Sequence, residues 1–295
     1  MNELKGMGVA LITPFDAQGN VDHEALKRVV QHQLDNGTDY LVVLGTTAES
    51  ATLSAAEKKE VISTIVETNV GKLPLVIGIG GNNTRVILEE IASTGLDPFT
   101  AILSVSPAYS KPTQEGIYQH FKAIVTSTEK PIVLYNVPGR TASNMSVDTV
   151  VRLANDFDNI VGIKEAAGDL PAAMKMIQRT PDDFLVISGD DMIANAMTLA
   201  GGAGVISVIG QTLAKDFSEM IRLALAGEVK ASYNLHYKVA DSIDLIFEQG
   251  NPAGIKNMYE HMDICQQHLR LPLVPVDEDL SDRIKSFLNR TYLKS

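Results

Sequence analysis

Short runs of continuously apolar residues recur along the chain, and each run is followed by a segment whose apolar positions have helical spacing. Runs that are apolar at successive positions, rather than at alternate ones, are typical of strands buried on both faces of a parallel sheet. The pattern therefore predicts repeated strand–helix units. The predicted strands begin near Gly8, Tyr40, Leu75, Ala101, Ile132, Ile160, Leu185 and Gly204.

The segments between the strands carry clear signals for helix starts. Ser54 and Glu57 have the spacing of a capping box, in which each side chain bonds the other residue's backbone N–H. Asp22 stands before a run of helical spacing, and Asp169 is followed by Pro171, which suits a first helical turn. Eight strand–helix units predict an α/β fold, the closed (β/α)8 or TIM barrel.

An open, doubly wound sheet is the structural alternative to the barrel. Such a sheet favours fewer strands and a glycine-rich phosphate loop after the first strand. Here the first strand is followed by Thr-Pro-Phe at residues 13–15, which does not match that loop. The barrel is therefore the favoured fold.

Strand signals stop after about residue 227, and helical patterns continue. Residues 228–249, 252–262 and 281–293 are predicted to form helices. We therefore expect two units, a (β/α)8 catalytic barrel over residues 1–227 and a C-terminal helical extension over residues 228–295.

The charge balance argues against a nucleic-acid partner. The chain of 295 residues has 36 acidic and 25 basic residues, a net charge of −11, and its basic residues never run longer than two. Phosphate binding needs clustered lysine and arginine.

Cys265 is the only cysteine, no apolar run reaches the length of a membrane span, and residues 1–5 do not resemble a leader. We expect a cytoplasmic protein that does not bind membranes.

Lys164 is the residue that most directly suggests chemistry. It ends the sixth predicted strand, in an otherwise apolar run. Burial disfavours the charged form of an amine, and a neutral lysine amine forms Schiff bases with carbonyl substrates. The structural alternative is that Lys164 caps the strand and extends its ammonium into water.

Polar side chains follow the ends of several predicted strands. In a (β/α)8 barrel the carboxyl ends of all strands meet at one rim, where active sites form. A lysine, two tyrosines, two threonines and an arginine on that rim suit Schiff-base chemistry on a keto acid, with hydroxyl groups moving protons. Each also has a structural alternative: a core tyrosine, a threonine helix cap or a surface arginine. The candidates are Thr46, Thr47, Tyr109, Tyr135, Arg140 and Lys164.

A metal site is not predicted. The six histidines all fall in predicted helices, and none ends a strand or forms an H-x-x-x-H pair. Asp190 and Asp191 are interpreted as a helix start without a catalytic role. The glycine-rich segment at residues 201–204 is better explained by a tight turn than by a phosphate site.

Five motifs, in order and at strand-end spacing, resemble one family. These motifs make the chain similar, over nearly its whole length, to a superfamily of class I pyruvate-dependent aldolases, which contains dihydrodipicolinate synthase and N-acetylneuraminate lyase. The chain resembles the dihydrodipicolinate synthase branch most. The motifs are G-T-T-x-E at residues 45–49, Y-N-V-P-x-R-T at 135–141, G-I-K-E at 162–165, S-G-D-D at 188–191 and G-V-I-S-V at 204–208.

The resemblance implies an activity, the condensation of pyruvate with L-aspartate-4-semialdehyde in lysine and diaminopimelate biosynthesis. It implies no cofactor beyond a covalent Schiff base, and a homotetramer built as a dimer of dimers. It also implies roles for the rim residues. Lys164 would form the Schiff base, and the proton relay would consist of Tyr135, Thr46 and Tyr109 of a neighbouring subunit. Thr47 would bind the pyruvate carboxylate, and Arg140 would bind the carboxylate of the semialdehyde. The pyruvate site would be lined by the backbones near Gly189 and Ile206.

Two departures from the family pattern stand out. Ala48 replaces a glycine usual in G-T-T-G-E, which would cost about 1 kcal/mol if that position needs a positive φ. The second departure concerns a site where lysine inhibits some members. Three residues match those of that site: Ser50, Ala51 and Asn82. Four other positions do not match it: Ala55, Lys58, Val86 and Ala108. Weak or absent inhibition by lysine is therefore expected.

Two rival functions differ from this interpretation. The nearer one is a related aldolase that acts on a sialic acid or a 2-keto-3-deoxy sugar acid. Arg140 argues against it, because a sugar aldehyde brings no matching carboxylate. The other rival is a non-catalytic ligand-binding barrel, against which the intact set of lysine, tyrosine and threonine residues argues.

Overall fold

The computed structural model describes residues 1–292, and its centre is a closed barrel of eight parallel strands in sequential order. Closure confirms the (β/α)8 fold expected from the apolar runs. Each strand is hydrogen-bonded to two neighbours, so the sheet has no open edge. The strands are β1 Gly6–Ala10, β2 Tyr40–Val43, β3 Leu75–Gly78, β4 Ala101–Val105, β5 Ile132–Asn136, β6 Ile160–Glu165, β7 Leu185–Ser188 and β8 Gly204–Ser207.

Helices follow the strands and surround the barrel. Four further segments, at Asn2–Leu4, Thr46–Ala48, Ser50–Thr52 and Ile209–Gln211, form single turns of 3-10 helix. The α-helices are α1 His23–Asp35, α2 Ala55–Asn69, α3 Thr84–Ser93, α4 Gln114–Val125, α5 Pro138–Thr141, α6 Val147–Asp156, α7 Leu170–Arg179, α8 Ala194–Leu199, α9 Ala214–Leu225, α10 Val229–Glu248, α11 Ala253–His261 and α12 Glu278–Thr291.

The first strand begins two residues earlier than the sequence predicts. Gly6 pairs with Gly204 of β8, and its N–H donates to the carbonyl of Ala203 at 2.9 Å. A Cβ on Gly204 would lie 2.0 Å from the Gly6 carbonyl oxygen. This close approach, which only glycine allows, closes the barrel between β1 and β8.

The predicted helix caps are present. The Ser54 hydroxyl accepts from the Glu57 N–H, and the Glu57 carboxylate accepts from the Ser54 N–H, which completes the capping box of α2. Asp22 caps α1 and Asp169 caps α7, each by accepting a backbone N–H three residues later. Such caps stabilise a helix by about 1 kcal/mol each because they satisfy N–H groups that the helix leaves unpaired.

Both faces of the strands are buried, as the continuous apolar runs predict. Along β2, Val42 belongs to a cluster made almost entirely of strand residues, which fills the barrel interior. Leu41 and Val43 belong instead to the larger cluster shared with the surrounding helices. Each fully buried aliphatic side chain contributes about 1.5–3 kcal/mol. The barrel is therefore a solid core that holds its rim residues in place.

The C-terminal helices match their predicted positions closely, with one shift. α12 begins at Glu278 rather than residue 281, because the Asp277 carboxylate accepts from the Leu280 N–H at 2.9 Å and caps the helix there. The predicted end of this helix at residue 293 lies outside the described residues. The predicted helical position of His268 is wrong, since residues 266–270 form no helix or strand.

α10 packs on α9 of the barrel layer as well as on α11 and α12. The division of the chain into two domains at residue 227 stays a prediction. Within residues 1–292, no helix combines the length and the apolar character needed to cross a membrane.

Candidate active site

Strand register brings Lys164 and Tyr135 together. They are direct neighbours across the β5–β6 pair, at the carboxyl end of both strands. The Lys164 side chain is buried, with 5% of its surface exposed, and its Nζ lies 4.5 Å from the centroid of the Tyr135 ring. An ammonium or amine over an aromatic face is an attractive contact that replaces part of its lost hydration.

The next residue on each of these strands has a structural role. Asn136 donates through Nδ2 to both carboxylate oxygens of Glu165, at 2.9 and 3.1 Å, and accepts from the Met145 N–H. Glu165 also accepts from the Ala167 N–H at 2.7 Å. Burial raises the pKa of Glu165, and these hydrogen bonds oppose that effect. The network ties the ends of β5 and β6 together directly beside the lysine–tyrosine pair.

A cavity of about 740 Å³ opens at this rim. Its volume is that of a small-molecule site, and its lining residues come from five strand ends, from α10, which includes Asp244 and Glu248, and from the turn after α10. The structure therefore brings together most of the residues that the sequence singles out. The cavity is lined by, among others, Thr46, Thr47, Tyr135, Arg140, Lys164, Gly189, Asp190, Val208 and Asn251.

Gly189 is close-packed against the lysine. A Cβ at this position would lie 2.9 Å from Cε of Lys164 and 2.6 Å from Cβ of Ala166. Since real Cβ contacts are longer, any side chain here would displace the lysine. Gly189 therefore lies directly beside Lys164 on the wall of the cavity.

Ile206 lies on β8 with its side chain buried in the barrel interior. It does not line the cavity, whereas Val208, two residues later, does. The backbone there is fixed by Asp191, whose carboxylate accepts from the N–H groups of Val208 and Ile209. Burial raises the pKa of Asp191, and these N–H donors act against the rise.

Asp190 and Asp191 do not directly start the next helix. α8 begins at Ala194, and the intervening turn is stabilised by the Asp190 carboxylate, which accepts from the Met192 N–H at 2.9 Å. The expectation of a helix start is therefore wrong by one turn. The Asp191 carboxylate accepts instead from the backbone N–H groups of Val208 and Ile209, which follow β8.

The segment after β2 presents the two threonines. Thr46, Thr47 and Ala48 form a single 3-10 turn that ends at Glu49, which has a left-handed conformation with φ 53°. Ala48 is buried and does not have a positive φ. The conformational cost considered for alanine at this position therefore does not arise, because Glu49 takes the left-handed conformation.

Thr47 has a partner that the sequence did not reveal. The Asn251 amide donates to Oγ1 of Thr47 at 2.9 Å. Asn251 lies in the turn between α10 and α11, 204 residues away in sequence. A turn is visible in Gly-Asn-Pro at residues 250–252, but no local pattern indicates which distant side chain it contacts.

Arg140 lies at the mouth of the cavity. It belongs to the short helix α5, and its side chain is exposed. None of the ion pairs found within residues 1–292 includes Arg140. Its planar guanidinium is therefore available to hold a carboxylate through two hydrogen bonds.

Tyr109 does not reach this cavity within its own chain. Its side chain is 88% exposed, and its backbone is left-handed with φ 69°. The Tyr109 N–H donates to the Thr141 carbonyl at 3.1 Å, which fixes this loop next to the segment that carries Arg140.

A second, smaller cavity of about 90 Å³ adjoins the same residues. Thr46, Tyr135 and Lys164 line one part of it, and Lys58 and Glu90 line another. Lys58 Nζ lies 3.2 Å from a carboxylate oxygen of Glu90, and both side chains are about 30% exposed.

Across residues 1–292, no cluster of three or more His, Cys, Asp or Glu side chains has the arrangement of a metal site.

Known proteins resemble this chain along almost its full length. The model of the dihydrodipicolinate synthetase family matches residues 3–291. The 4-hydroxy-tetrahydrodipicolinate synthase of Flavobacterium psychrophilum is 59% identical, over 97% of this chain and 98% of that protein. The Bacillus subtilis protein of the same name is 42% identical, over 92% and 94%.

Solved structures agree with these relatives. The chloride-inhibited dihydrodipicolinate synthase from Acinetobacter baumannii in complex with pyruvate has a TM-score of 0.94 and 38% identity, covering 98% of this chain and 99% of that one. A monomeric dihydrodipicolinate synthase variant has a TM-score of 0.95 and 37% identity, covering 98% and 97%. The barrel, the strand-end residues and these matches together show that the chain belongs to the dihydrodipicolinate synthetase family.

Proposed function

We propose that this chain condenses pyruvate with L-aspartate-4-semialdehyde to give 4-hydroxy-tetrahydrodipicolinate, a step of lysine and diaminopimelate biosynthesis, through a Schiff base on Lys164. One observation carries the proposal. A buried lysine amine lies against a tyrosine ring, in a cavity that also contains two threonines and an arginine. Family membership, and the names of relatives at up to 59% identity, support the same activity.

The chemistry needs only groups that the chain supplies. The Lys164 amine attacks C2 of pyruvate, and the carbinolamine loses water to give an iminium ion. Loss of a proton from the methyl group gives an enamine, whose carbon attacks the aldehyde of the second substrate. The substrate's amino group then attacks C2 and releases Lys164, so one water is lost overall. No external cofactor takes part in this sequence.

Protons move at each of these steps, and side-chain hydroxyl groups can carry them. We assign the relay to Tyr135, Thr46 and the Tyr109 of a neighbouring subunit. Thr47 holds the pyruvate carboxylate and Arg140 that of the semialdehyde. Gly189 contributes backbone to the pyruvate site. A role for Ile206 stays a prediction and involves its backbone alone, since its side chain is in the barrel core.

We further propose a cytoplasmic homotetramer built as a dimer of dimers. The exposed Tyr109 supports one interface, because a large aromatic side chain that is 88% exposed loses water favourably when a partner covers it. On α10, Tyr237 is 71% exposed and stacks on Tyr233 with ring centroids 5.6 Å apart, which supports a second interface.

Trapping with pyruvate and borohydride tests the central proposal. Borohydride reduces the iminium to a stable secondary amine, and we expect peptide mapping to find the modification on Lys164. Lys164→Arg abolishes trapping and most activity, because arginine stays protonated. Modification of another lysine, or none, contradicts the proposal.

Two glycine variants serve as a matched pair for this experiment. Gly189→Ala places a methyl group within 2.9 Å of the lysine chain and should slow trapping by about tenfold or more. Gly139 lines the same cavity, but a methyl group added by Gly139→Ala would meet no atom within 4 Å. Trapping by Gly139→Ala should match that of the wild type.

Arg140→Ala tests selection of the second substrate. Loss of a charged, hydrogen-bonded pair commonly costs about 2–5 kcal/mol, so kcat/KM for the semialdehyde should fall about 10²-fold or more. Trapping of pyruvate on Lys164 should persist. Arg140→Lys keeps the charge but loses the bidentate geometry, and should recover only part of the loss. An equal loss of pyruvate trapping and semialdehyde use would identify Arg140 as structural.

Subunit mixing tests the shared site. A Tyr109→Phe variant and a Lys164→Ala variant should each have little activity alone, and they are mixed so that their subunits exchange. Tyr109 is proposed to act in the neighbouring subunit. In the mixed dimer one site then carries both defects and the other carries none, so activity should rise toward half of the wild-type level. If Tyr109 acts in its own chain, every site keeps one defect and no activity returns, even after subunit exchange has been demonstrated by mass spectrometry.

Titration of lysine into the assay tests regulation. We expect weak or absent inhibition, because the Lys58 ammonium beside Glu90 repels a cationic ligand and already occupies that carboxylate. Lys58→Gln removes this charge and should increase the sensitivity to lysine. Inhibition of the wild type by submillimolar lysine would contradict the prediction.

A further inference from the structure

Glu49 is held in a conformation that non-glycine residues seldom adopt. It ends the 3-10 turn that carries Thr46 and Thr47, with φ 53° and ψ 32°. A left-handed residue of this kind persists only where its surroundings fix it. The Glu49 side chain is buried, with 1% of its surface exposed, although it is a carboxylate.

Both oxygens of this carboxylate are engaged by residues from the C-terminal part of the chain. Lys256 Nζ of α11 lies 2.5 Å from Oε1 of Glu49, and the backbone N–H of Arg270 donates to Oε2 of Glu49 at 3.0 Å. These partners are 207 and 221 residues away in sequence. The turn is therefore fixed from outside the strand–helix unit that contains it.

Lys256 is itself fully enclosed. Its side chain has no exposed surface, and Nζ also donates to the His268 carbonyl at 2.8 Å and lies 4.2 Å from the centroid of the Phe15 ring. Burial lowers the pKa of Lys256, and the Glu49 carboxylate opposes this change. An ammonium with a carboxylate, a carbonyl and an aromatic face around it has little freedom to move.

The same C-terminal part of the chain holds the turn at two further points. The Asn251 amide donates to Oγ1 of Thr47 at 2.9 Å, so the threonine hydroxyl accepts there and its own proton stays available to another acceptor. The Arg270 guanidinium donates to the Thr52 carbonyl at 2.8 Å and pairs with Glu57 of α2. The threonine turn is thus anchored on both sides of Glu49.

We propose that Lys256 is a positioning residue, whose buried ion pair with Glu49 fixes the turn that presents the Thr46 and Thr47 hydroxyls to the substrate. Lys256 does not touch the substrate, and it acts only through Glu49 and the turn. The inference rests on the roles of Thr46 and Thr47 in the proposed function.

Lys256→Met tests this role by keeping most of the side-chain volume and removing the ammonium. Because a displacement of about 1 Å can cost a reaction about 10²-fold, kcat/KM for pyruvate should fall by about that factor. Lys238→Met is the matched control. Lys238 pairs with Asp216, and both line a separate cavity that includes none of the proposed site residues. The kcat/KM of Lys238→Met for pyruvate should stay at the wild-type level.

A double-mutant cycle separates positioning from general loss of stability. Thr47→Val alone lowers kcat/KM for pyruvate. If Lys256 acts by placing Thr47, adding Thr47→Val to Lys256→Met should lower kcat/KM by less than about threefold more. Full multiplication of the two effects, or an unchanged kcat/KM in a folded Lys256→Met protein, would overturn the proposal.

Unfolding of the single variant would not prevent the test. Removing one partner of a buried ion pair leaves an unpaired charge, which can unfold the protein. In that case the double variant Glu49→Gln with Lys256→Met, which removes both charges, replaces Lys256→Met in the same cycle. Hydrogen exchange of the wild type and the folded variant is compared in parallel. We expect faster exchange in the peptide covering residues 46–52, and unchanged exchange there would also overturn the proposal.

The exchange measurement separates failure of this inference from failure of the proposed function. If the wild type forms no pyruvate adduct and no product, the proposed function is wrong, and exchange at residues 46–52 still reports whether Lys256 fixes the turn. If the wild type is active and neither exchange nor kcat/KM responds to Lys256, the positioning role alone is wrong.

Discussion

Closure of the parallel barrel is the constraint on which the rest of the structure depends. Because all eight strands run in the same direction, their carboxyl ends meet at one rim, and residues as distant in sequence as Thr46 and Val208 line one cavity. The register of β5 against β6 then places Tyr135 beside Lys164 without any flexible element between them. The glycine contact between Gly6 and Gly204 permits the last strand pair that completes the ring.

Two lysines are buried near this rim, and their surroundings differ in a way that bears on reactivity. Lys256 has a carboxylate, a backbone carbonyl and an aromatic face around its ammonium, which together stabilise the charge. Lys164 has an aromatic face, and none of the ion pairs within residues 1–292 involves it. Lys164 lines the cavity, where a substrate carbonyl can reach its amine, whereas the Lys256 ammonium is enclosed by its partners and has no exposed surface. The contrast accounts for the different roles proposed for the two residues.

Much of this arrangement is predictable from the sequence, for identifiable reasons. Strands buried on both faces leave continuous apolar runs, and capping residues such as Ser54 mark helix starts, so the eight units and their order follow from local patterns. A barrel has a defined rim, so the strand-end residues, including Lys164 and Tyr135, are expected to converge there. The register of β5 against β6 is not predicted by these patterns, because it shifts between Ile132 and Val133.

Contacts between distant parts of the chain are the part that the sequence did not provide. Nothing local to Asn251, Lys256 or Arg270 indicates that they bond the turn after β2, since helix propensity and periodicity describe only neighbours along the chain. The helical position predicted for His268 is wrong for the same reason, since its segment is irregular and its carbonyl accepts a hydrogen bond from Lys256. The exposed position of Tyr109 also cannot be derived from a strand-end pattern, because that pattern describes a single chain.

These distant contacts change how the C-terminal helices should be understood. The barrel strands and their helices are complete by α9, yet the turn that carries the two threonines is not fixed by any of them alone. Its left-handed residue, Glu49, is held by α11 and by the irregular segment that follows it. A site assembled only from strand ends would leave this turn free to relax into a more common backbone conformation, and the hydroxyl groups would move with it. The helices that follow the barrel are therefore part of what gives the rim its geometry.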